Sequence, residues 1–483
     1  MSIRHLSPAP VWQWFADICS IPHPTYREAA LAAYIMRHTR DRGLEARSDD
    51  KGNVYLYKPA AGAGMAEKAG VILQAHIDMV AQKTPDSPHD FDCDPIRARI
   101  KGDWVYADNT TLGADNGMGA AMALAVLFAE DIEHPPLEVL LTVEEEIGMG
   151  GVRAVRSDYL QGRYLLNLDT EEHGSIYLGC AGGRDAEFNL AMKSECAEGE
   201  RWKITVEGLI GGHSGIDIHR GRGNAIKLLA DVLNRVSDRH TLRLAAFHGG
   251  LLRNVIPREA YAEIVLPAGQ GDGLAALLAE AEQQVRAEWG VHAEKLRIAA
   301  DRVATHSGQA FCEADSRRAI DLLCALPDGV LRTSDDFPGV TETSICLSVA
   351  HTDEQSVHIC LLMRSLLETP KDEVSRRLAA LARLSGAALR LDGDYPGWTP
   401  DASSELFAAA RQVFRDYLGR EPRIKVIPAG LECGLMQQRL PEVEMISFGP
   451  TIEGAHTPRE RVEIATVAEC WELLLRVLKH TPA

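Results

Sequence analysis

His76-Ile77-Asp78 is the first group of residues in this chain whose types and spacing suit chemistry. Alternate residues of a strand face the same way, so the imidazole and the carboxylate address one point in space. Asp115 stands in Leu112-Gly113-Ala114-Asp115-Asn116-Gly117, directly before an apolar stretch from Gly117 to Ala129. An aspartate there is ordinarily a helix N-cap, yet the flanking glycines also let backbone approach a charged centre closely. Glu144-Glu145-Glu146 interrupts an apolar run, Val139–Val143 and then Ile147, where a solvated charge run fits poorly. Asp169 closes Leu165-Leu166-Asn167-Leu168-Asp169, and His456 lies in a glycine-containing loop, Gly454-Ala455-His456. Each piece has an ordinary structural explanation. Together they make a donor set of nitrogen and oxygen.

Two divalent ions held about 3.5–4 Å apart repel each other, and a shared carboxylate is the usual way to hold them. Two imidazoles with several carboxylates suit zinc, with cobalt or manganese as substitutes. On this reading His76 and Asp169 complete one ion, Glu146 and His456 complete the other, and Asp115 is shared. Asp78 is left to accept the second N–H of His76 and fix its tautomer. Glu145, beside a ligand but not one itself, is left to move a proton from water to a leaving amine.

Such residues need a scaffold that brings distant segments together. Residues 1–185 alternate helical and strand patterns, the signature of a layered α/β domain. Val71–Ala75, Val139–Val143 and Tyr164–Leu168 are short apolar runs that read as buried strands. Each is followed by the polar residues just named, and open α/β sheets bind ligands beyond the carboxyl ends of their strands. From about Asp185 to Leu391 the pattern shifts to alternating strands and long amphipathic helices, and residues 392–483 return to the first style. The expected fold is α/β: a discontinuous catalytic domain, 1–185 plus 392–483, with a mixed, largely parallel sheet flanked by helices. The insertion, 186–391, is expected to be α+β.

Composition narrows the function classes. The chain has 483 residues, 46% of them hydrophobic, and 51 Lys+Arg against 69 Asp+Glu give a net charge of −18. An acidic chain without a basic block is a poor match to nucleic acid, so no such partner is expected. The longest apolar stretch falls short of the roughly 20 residues that cross a bilayer, and no export signal opens the sequence, so no membrane partner and a cytoplasmic location are expected. The ten cysteines show no CxxC pair and read as reduced, mostly buried thiols.

The set His76-x-Asp78, Gly113-Ala114-Asp115-Asn116-Gly117, Glu145-Glu146-x-Gly148, Asp169 and Gly454-Ala455-His456 resembles the co-catalytic zinc peptidases and deacylases related to peptidase V, carnosinase and acetylornithine deacetylase. Longer strings resemble, more narrowly, the bacterial aminoacyl-histidine dipeptidases of that family. These include Ser20-Ile21-Pro22-His23-Pro24, Gly211-Gly212-His213-Ser214-Gly215, Asn254-Val255-Ile256-Pro257-Arg258-Glu259 and Gly430-Leu431-Glu432-Cys433-Gly434. The resemblance implies two zinc ions, one on His76, Asp115 and Asp169 and the other on Asp115, Glu146 and His456. It implies Glu145 as general base and acid and Asp78 as the carboxylate behind the metal ligands. It further implies that the insertion is a lid of two ferredoxin-like halves carrying three residues toward substrate: His213 to polarise the scissile carbonyl, Arg364 to hold the substrate carboxylate, and Asn254 as a substrate-facing amide. Small dipeptides are the implied substrates, and a homodimer is compatible with the family, leaving open whether His213 serves its own chain or a partner.

Two departures from the pattern stand out. Pro428 replaces an expected histidine, and Cys346 replaces an expected asparagine. Both lie outside the metal set and bear on which dipeptides are preferred. The same centre would serve an N-acyl-amino-acid deacylase, the alternative within enzymes. A catalytically inactive binding or scaffold relative is the alternative from another class.

Overall fold

The apolar runs become the middle of an eight-stranded sheet. The computed structural model describes residues 2–335 and 337–483. Across this sheet the strands run Glu45–Ser48, Val54–Lys58, Leu137–Thr142, Val71–His76, Tyr164–Asn167, Glu444–Ser447, Ser175–Cys180 and Arg423–Ile427. Leu137–Thr142, Val71–His76, Tyr164–Asn167 and Glu444–Ser447 are parallel to one another. Val54–Lys58 and Ser175–Cys180 flank them antiparallel, so the sheet is mixed with a parallel centre. Every residue of Leu137–Thr142, Val71–His76 and Tyr164–Asn167 is buried, as largely apolar strands covered on both faces require.

The register decides where the chemistry goes. His76 lies opposite Thr142, Gln74 opposite Asn167, and Asn167 opposite Ser447, so four carboxyl ends meet at one edge of the sheet. The helix Ala114–Phe128 packs on the strand Val71–His76 and the helix Ala9–Ser20, with residues 116–127 all buried. A helix apolar all round must be enclosed in this way. Gly119 lets its first turn close onto the segment that carries Asp169: a Cβ there would overlap the Leu168 carbonyl oxygen. A small separate sheet, which hydrophobic patterning does not reveal, joins Ala98–Lys101, Trp104–Ala107, Arg461–Glu463 and Ile452–Glu453.

The chain forms two units. The first comprises Met1–Gly179, Trp398–Val426 and Leu431–Ala483, and the second Cys180–Gly397 and Ile427–Gly430. In the second unit the strands Gly182–Ala191 and Ala388–Tyr395 pair with each other down to Gly183 and Tyr395, which puts both inside it. Apart from the short ladder of Gly212–His213 with Val255–Ile256, its described strands make one antiparallel sheet with two halves. Arg297–Phe311, Ser194–Glu207, Ala260–Leu266 and Arg243–Gly249 form one half, and Thr341–Thr352, Ser356–Ser365, Gly182–Ala191 and Ala388–Tyr395 the other. They meet through two residue pairs, His248 with His351 and Gly249 with Ala350.

A single hydrophobic core unites these halves with the helices Ala225–Ser237, Leu274–Trp289, Glu313–Ala325 and Glu368–Ser385. Ala225–Ser237 shows why the sequence folds so. Ile226, Leu229, Leu233 and Val236 form its buried stripe, and Asn224 caps its start by accepting the Ile226 N–H at 3.0 Å. No disulfide joins the described cysteines; Cys19, Cys180, Cys346, Cys433 and Cys470 are buried, whereas Cys93 and Cys196 are exposed. No helix among the described residues is long and apolar enough to cross a membrane.

Candidate functional site

His76 ends its strand with the side chain 1% exposed. Its Nδ1 lies 3.0 Å from the Asp78 carbonyl oxygen and 3.5 Å from Asp78 Oδ1. With Nδ1 turned to Asp78, Nε2 faces Asp115 Oδ1 at 3.3 Å and Asp169 Oδ1 at 3.4 Å. The other oxygen of Asp115 turns to the opposite side, where Oδ2 meets His456 Nε2 at 3.2 Å. His456 Nε2 in turn lies 2.9 Å from Glu146 Oε2. One carboxylate thus spans two imidazoles, with Asp169 on one flank and Glu146 on the other.

Asp115 is not the helix cap that its place in the sequence suggests. Gly113 is the N-cap, with φ 70°, and Asp115 and Asn116 keep non-helical backbone angles that hold the Asp115 side chain out of the first turn.

Asp78 acts through the main chain. Its Oδ1 accepts the Glu145 N–H at 3.0 Å and its Oδ2 the Glu146 N–H at 3.2 Å, with Thr25 Oγ1 donating at 2.9 Å. The nearer acceptor for the His76 ring is therefore the Asp78 carbonyl, and the carboxylate fixes the turn that presents Glu145 and Glu146. Glu144, the third member of the acidic run, pairs with Lys51 at 2.6 Å.

Carboxylates outnumber imidazoles in this crevice, and the electrostatics record it. Burial and the neighbouring Asp115 and Glu146 push Asp169 up to about 6 against the pull of His76. Burial also raises Glu145 well above the ordinary carboxylate range. His456 is pushed up to about 11 by its hydrogen bonds to Asp115 and Glu146. Burial works against ionisation of Asp115, but the two histidines outweigh it and hold the group low.

Such a set calls for added positive charge. Glu146 Oε1 and Asp169 Oδ1 are buried and accept no hydrogen bond among the described residues. His76, Asp115 and Glu146 offer ligand atoms within 4.8 Å of one another, a candidate metal site. Hard oxygens with imidazole nitrogen fit a divalent cation, and the orphaned oxygens are donors such an ion would satisfy.

Sequence reasoning missed a buried polar chain beneath this site. Thr142 Oγ1 and Gln74 Nε2 donate to Glu432 Oε2 at 2.7 and 2.6 Å, Asn167 Nδ2 donates to Gln74, and Ser447 Oγ donates to Asn167 Oδ1 at 2.5 Å. It crosses the four parallel strands one layer behind the ligands, and burial pushes Glu432 up to about 7. The only signal is the polar residues that interrupt these largely apolar strands. Glu460, whose carboxylate is held by backbone amides of the Asp115 segment, was missed as well.

In the second unit, His213 pairs across a short ladder with Val255, and the Asn254 carbonyl accepts the Ser214 N–H at 2.9 Å. His213 and exposed Asn254 are therefore neighbours. The Gly215 and Ile216 N–H groups both donate to His213 Nδ1, each at 3.1 Å, which places the ring proton on Nε2. Burial, with Arg364 nearby, lowers the pKa of His213 and keeps the ring neutral.

Arg364 is buried, donates from Nη1 to the Tyr395 hydroxyl at 2.9 Å, and leaves Nε without an acceptor. The Gly215 position abuts both Arg364 Nε and the Pro428 carbonyl. Pro428, one of the two departures, thus lies beside the guanidinium. Cys346, the other, is buried with Ile218 and Ile256 under the ladder that carries His213.

A model of peptidase family M20/M25/M40 matches residues 72–480. The chain belongs to this family. Among M20/M25/M40-like proteins, it is 46% identical to the cytosol non-specific dipeptidase of Escherichia coli (strain K12), covering 100% of this chain and 99% of that one. The crystal structure of aminoacylhistidine dipeptidase from Vibrio alginolyticus superposes with a TM-score of 0.94 at 46% identity, over 100% of this chain and 98% of the other. Aminopeptidase PepT from Bacillus cereus, at 16% identity and a TM-score of 0.57 over 99% of both chains, shares the fold.

Proposed function

We propose that the chain is a metal-dependent dipeptidase of the cytoplasm. The observation that carries this reading is the Asp115 carboxylate, whose two oxygens face His76 and His456 on opposite sides. His76, Asp115 and Asp169 would hold one divalent ion, and Asp115, Glu146 and His456 a second, with zinc as the native metal and cobalt or manganese able to replace it. When bound, such a pair supplies Lewis acidity toward a carbonyl oxygen and makes water acidic enough to attack near neutral pH.

The protein's own groups do the rest. Glu145 takes the proton from the attacking water and delivers it to the departing amine. Asp78 holds the Glu145 and Glu146 amides and so aims both side chains. His213, neutral with its proton on Nε2, donates to the oxygen that gains charge as the amide is attacked. Arg364 takes the free carboxylate of the substrate and Asn254 its backbone.

The buried Arg364 supports the substrate class. Among the described residues it has a hydroxyl partner and an orphaned Nε. A buried guanidinium in that state is completed by a bidentate anion, which a dipeptide carries at its end. N-acyl amino acids carry the same carboxylate, and the test must separate the two. A panel of dipeptides, their C-terminal amides and N-acetyl amino acids, assayed with zinc, cobalt or manganese, is expected to show turnover of the free dipeptides above both other sets. Arg364→Ala should raise KM for dipeptides by about 10-fold or more, as the loss of a charged hydrogen bond does, and remove the preference over the amides. Faster cleavage of N-acetyl amino acids would favour the deacylase.

His213→Ala is expected to lower kcat by about 100-fold, the scale for one donor to a developing oxyanion, with KM little changed. His213→Gln, which retains a donor on a side chain of similar length, should recover part of the loss. Equal losses in both variants would count against a donor role.

A further inference from the structure

Asp115 stands at the start of a helix, where an aspartate ordinarily folds back onto the free amides of the first turn. Here a distant group instead holds the amides of the segment that leads into Asp115. Glu460 Oε2 accepts the N–H of Leu112 at 2.7 Å and of Gly113 at 3.1 Å, while Oε1 accepts that of Ala114 at 2.7 Å and of Asp115 at 3.2 Å. Four consecutive main-chain donors thus converge on one carboxylate, 2% exposed and 345 residues away in sequence from Asp115. Past the kink at Asp115 and Asn116, it is Asn116 Oδ1 that accepts the Gly119 N–H, at 3.1 Å, and caps the first turn.

Glu460 belongs to the loop that carries His456. The strands Ile452–Glu453 and Arg461–Glu463 pair as a hairpin, and His456, with φ 62°, lies in its loop. Hydrogen bonds from the Thr457 N–H to the Gly454 carbonyl at 3.2 Å and from the Glu460 N–H to the Thr457 carbonyl at 3.0 Å fold that loop on itself. One hairpin therefore grips Asp115 twice, by its carboxylate through His456 and by its peptide N–H through Glu460.

We infer that Glu460 is a positioning residue for the metal centre. By holding four amides of the segment that leads into Asp115, it fixes the backbone from which that carboxylate faces both imidazoles. It also fixes the distance between the Asp115 and His456 segments. This rests on the metal-centre reading proposed above. Burial and the nearby Asp115 push Glu460 up to about 7, against the pull of the backbone amides it accepts from. Its effect on function is through the geometry of Asp115 alone.

The test compares two buried carboxylates with the same kind of partners. Glu138, also buried, accepts the Gln161 N–H at 2.9 Å and the Gly162 N–H at 3.0 Å. It lies on the strand Leu137–Thr142, well before the carboxyl end that faces the site. Full-length wild type, Glu460→Gln and Glu138→Gln are to be stripped of metal and titrated with zinc by calorimetry and with cobalt by absorption.

Both variants should melt at lower temperature than wild type, because each loses a carboxylate acceptor. Glu460→Gln alone should bind metal about 10- to 100-fold more weakly, the usual scale for a residue that supports a ligand, with an altered cobalt spectrum. Glu460→Asp, which keeps the charge one methylene short, should fall between and serves as the readout if Glu460→Gln does not fold. Wild-type affinity and spectrum in the folded Glu460 variants would overturn the inference, as would an equal metal defect in Glu138→Gln. Failure of wild type itself to bind metal would instead overturn the metal-centre reading.

Discussion

Glu145→Gln is expected to lose about 100- to 10,000-fold in kcat, the range for a positioned proton-transfer group, while binding its metal ions as tightly as wild type. The two halves of this expectation come from different observations. Glu145 stands next to a ligand in sequence but outside the group formed by His76, Asp115 and Glu146. Its N–H is tied to Asp78 Oδ1 at 3.0 Å, so the turn that orients Glu146 survives a change at the Glu145 side chain. Gln keeps the size of Glu and cannot carry a proton from water to an amine. Burial raises Glu145 well above the usual carboxylate range before any cation is present, and cations nearby pull it back down. A group caught between those influences is suited to both giving and taking a proton. Metal content by atomic emission and steady-state kinetics on one preparation read both halves. A variant with normal metal content and activity within 10-fold of wild type would remove Glu145 from the reaction.

The ease with which this site is read from the sequence has a physical origin. Strands buried on both faces tolerate little but apolar side chains, so Val71–His76, Leu137–Thr142 and Tyr164–Asn167 stand out as short apolar runs. Ligands placed just past their ends must then be polar residues at the boundary of such a run. His76, Asp78, Glu145, Glu146 and Asp169 all meet that description.

Glu460 does not, because its partners are backbone amides, and an amide looks the same in every residue. Nor does Glu432, whose hydrogen-bonded neighbours Gln74 and Thr142 are read as incidental polar residues until the strands are aligned. Asp115 was legible in type and misleading in setting. The sequence places it where a cap belongs, but its backbone is not helical there and the neighbouring Asn116 caps the turn instead. The limits of the second unit were obscured for a related reason: the pairing of Gly182–Ala191 with Ala388–Tyr395 joins segments some 200 residues apart, beyond the reach of local patterning.

Removal of metal is expected to abolish turnover, and reloading should be steeply pH-dependent. Without a cation the site keeps itself together with protons. His456 is pushed up to about 11 by hydrogen bonds to Asp115 and Glu146, and His76, despite its burial, is raised well above its ordinary value by Asp169, Asp115 and Asp78. Near neutral pH both imidazoles therefore hold a proton that an entering cation must expel.

The sign follows directly. Groups protonated in the empty site and deprotonated in the loaded one make metal affinity rise with pH, by about tenfold per pH unit for each proton released, at every pH below the empty-site pKa. One proton per ion gives about a 100-fold gain for each ion between pH 6 and 8. Hydroxide would begin to compete for free zinc above that window, so the measurement belongs within it. Calorimetric titration of chelator-treated protein in buffers of different ionisation enthalpy reads the protons released. Activity restored by zinc, cobalt or manganese on the same sample reads the function. Metal affinity that stayed constant from pH 6 to 8, with no dependence of the heat on the buffer, would show that His76 and His456 are not held as imidazolium ions by their carboxylate neighbours.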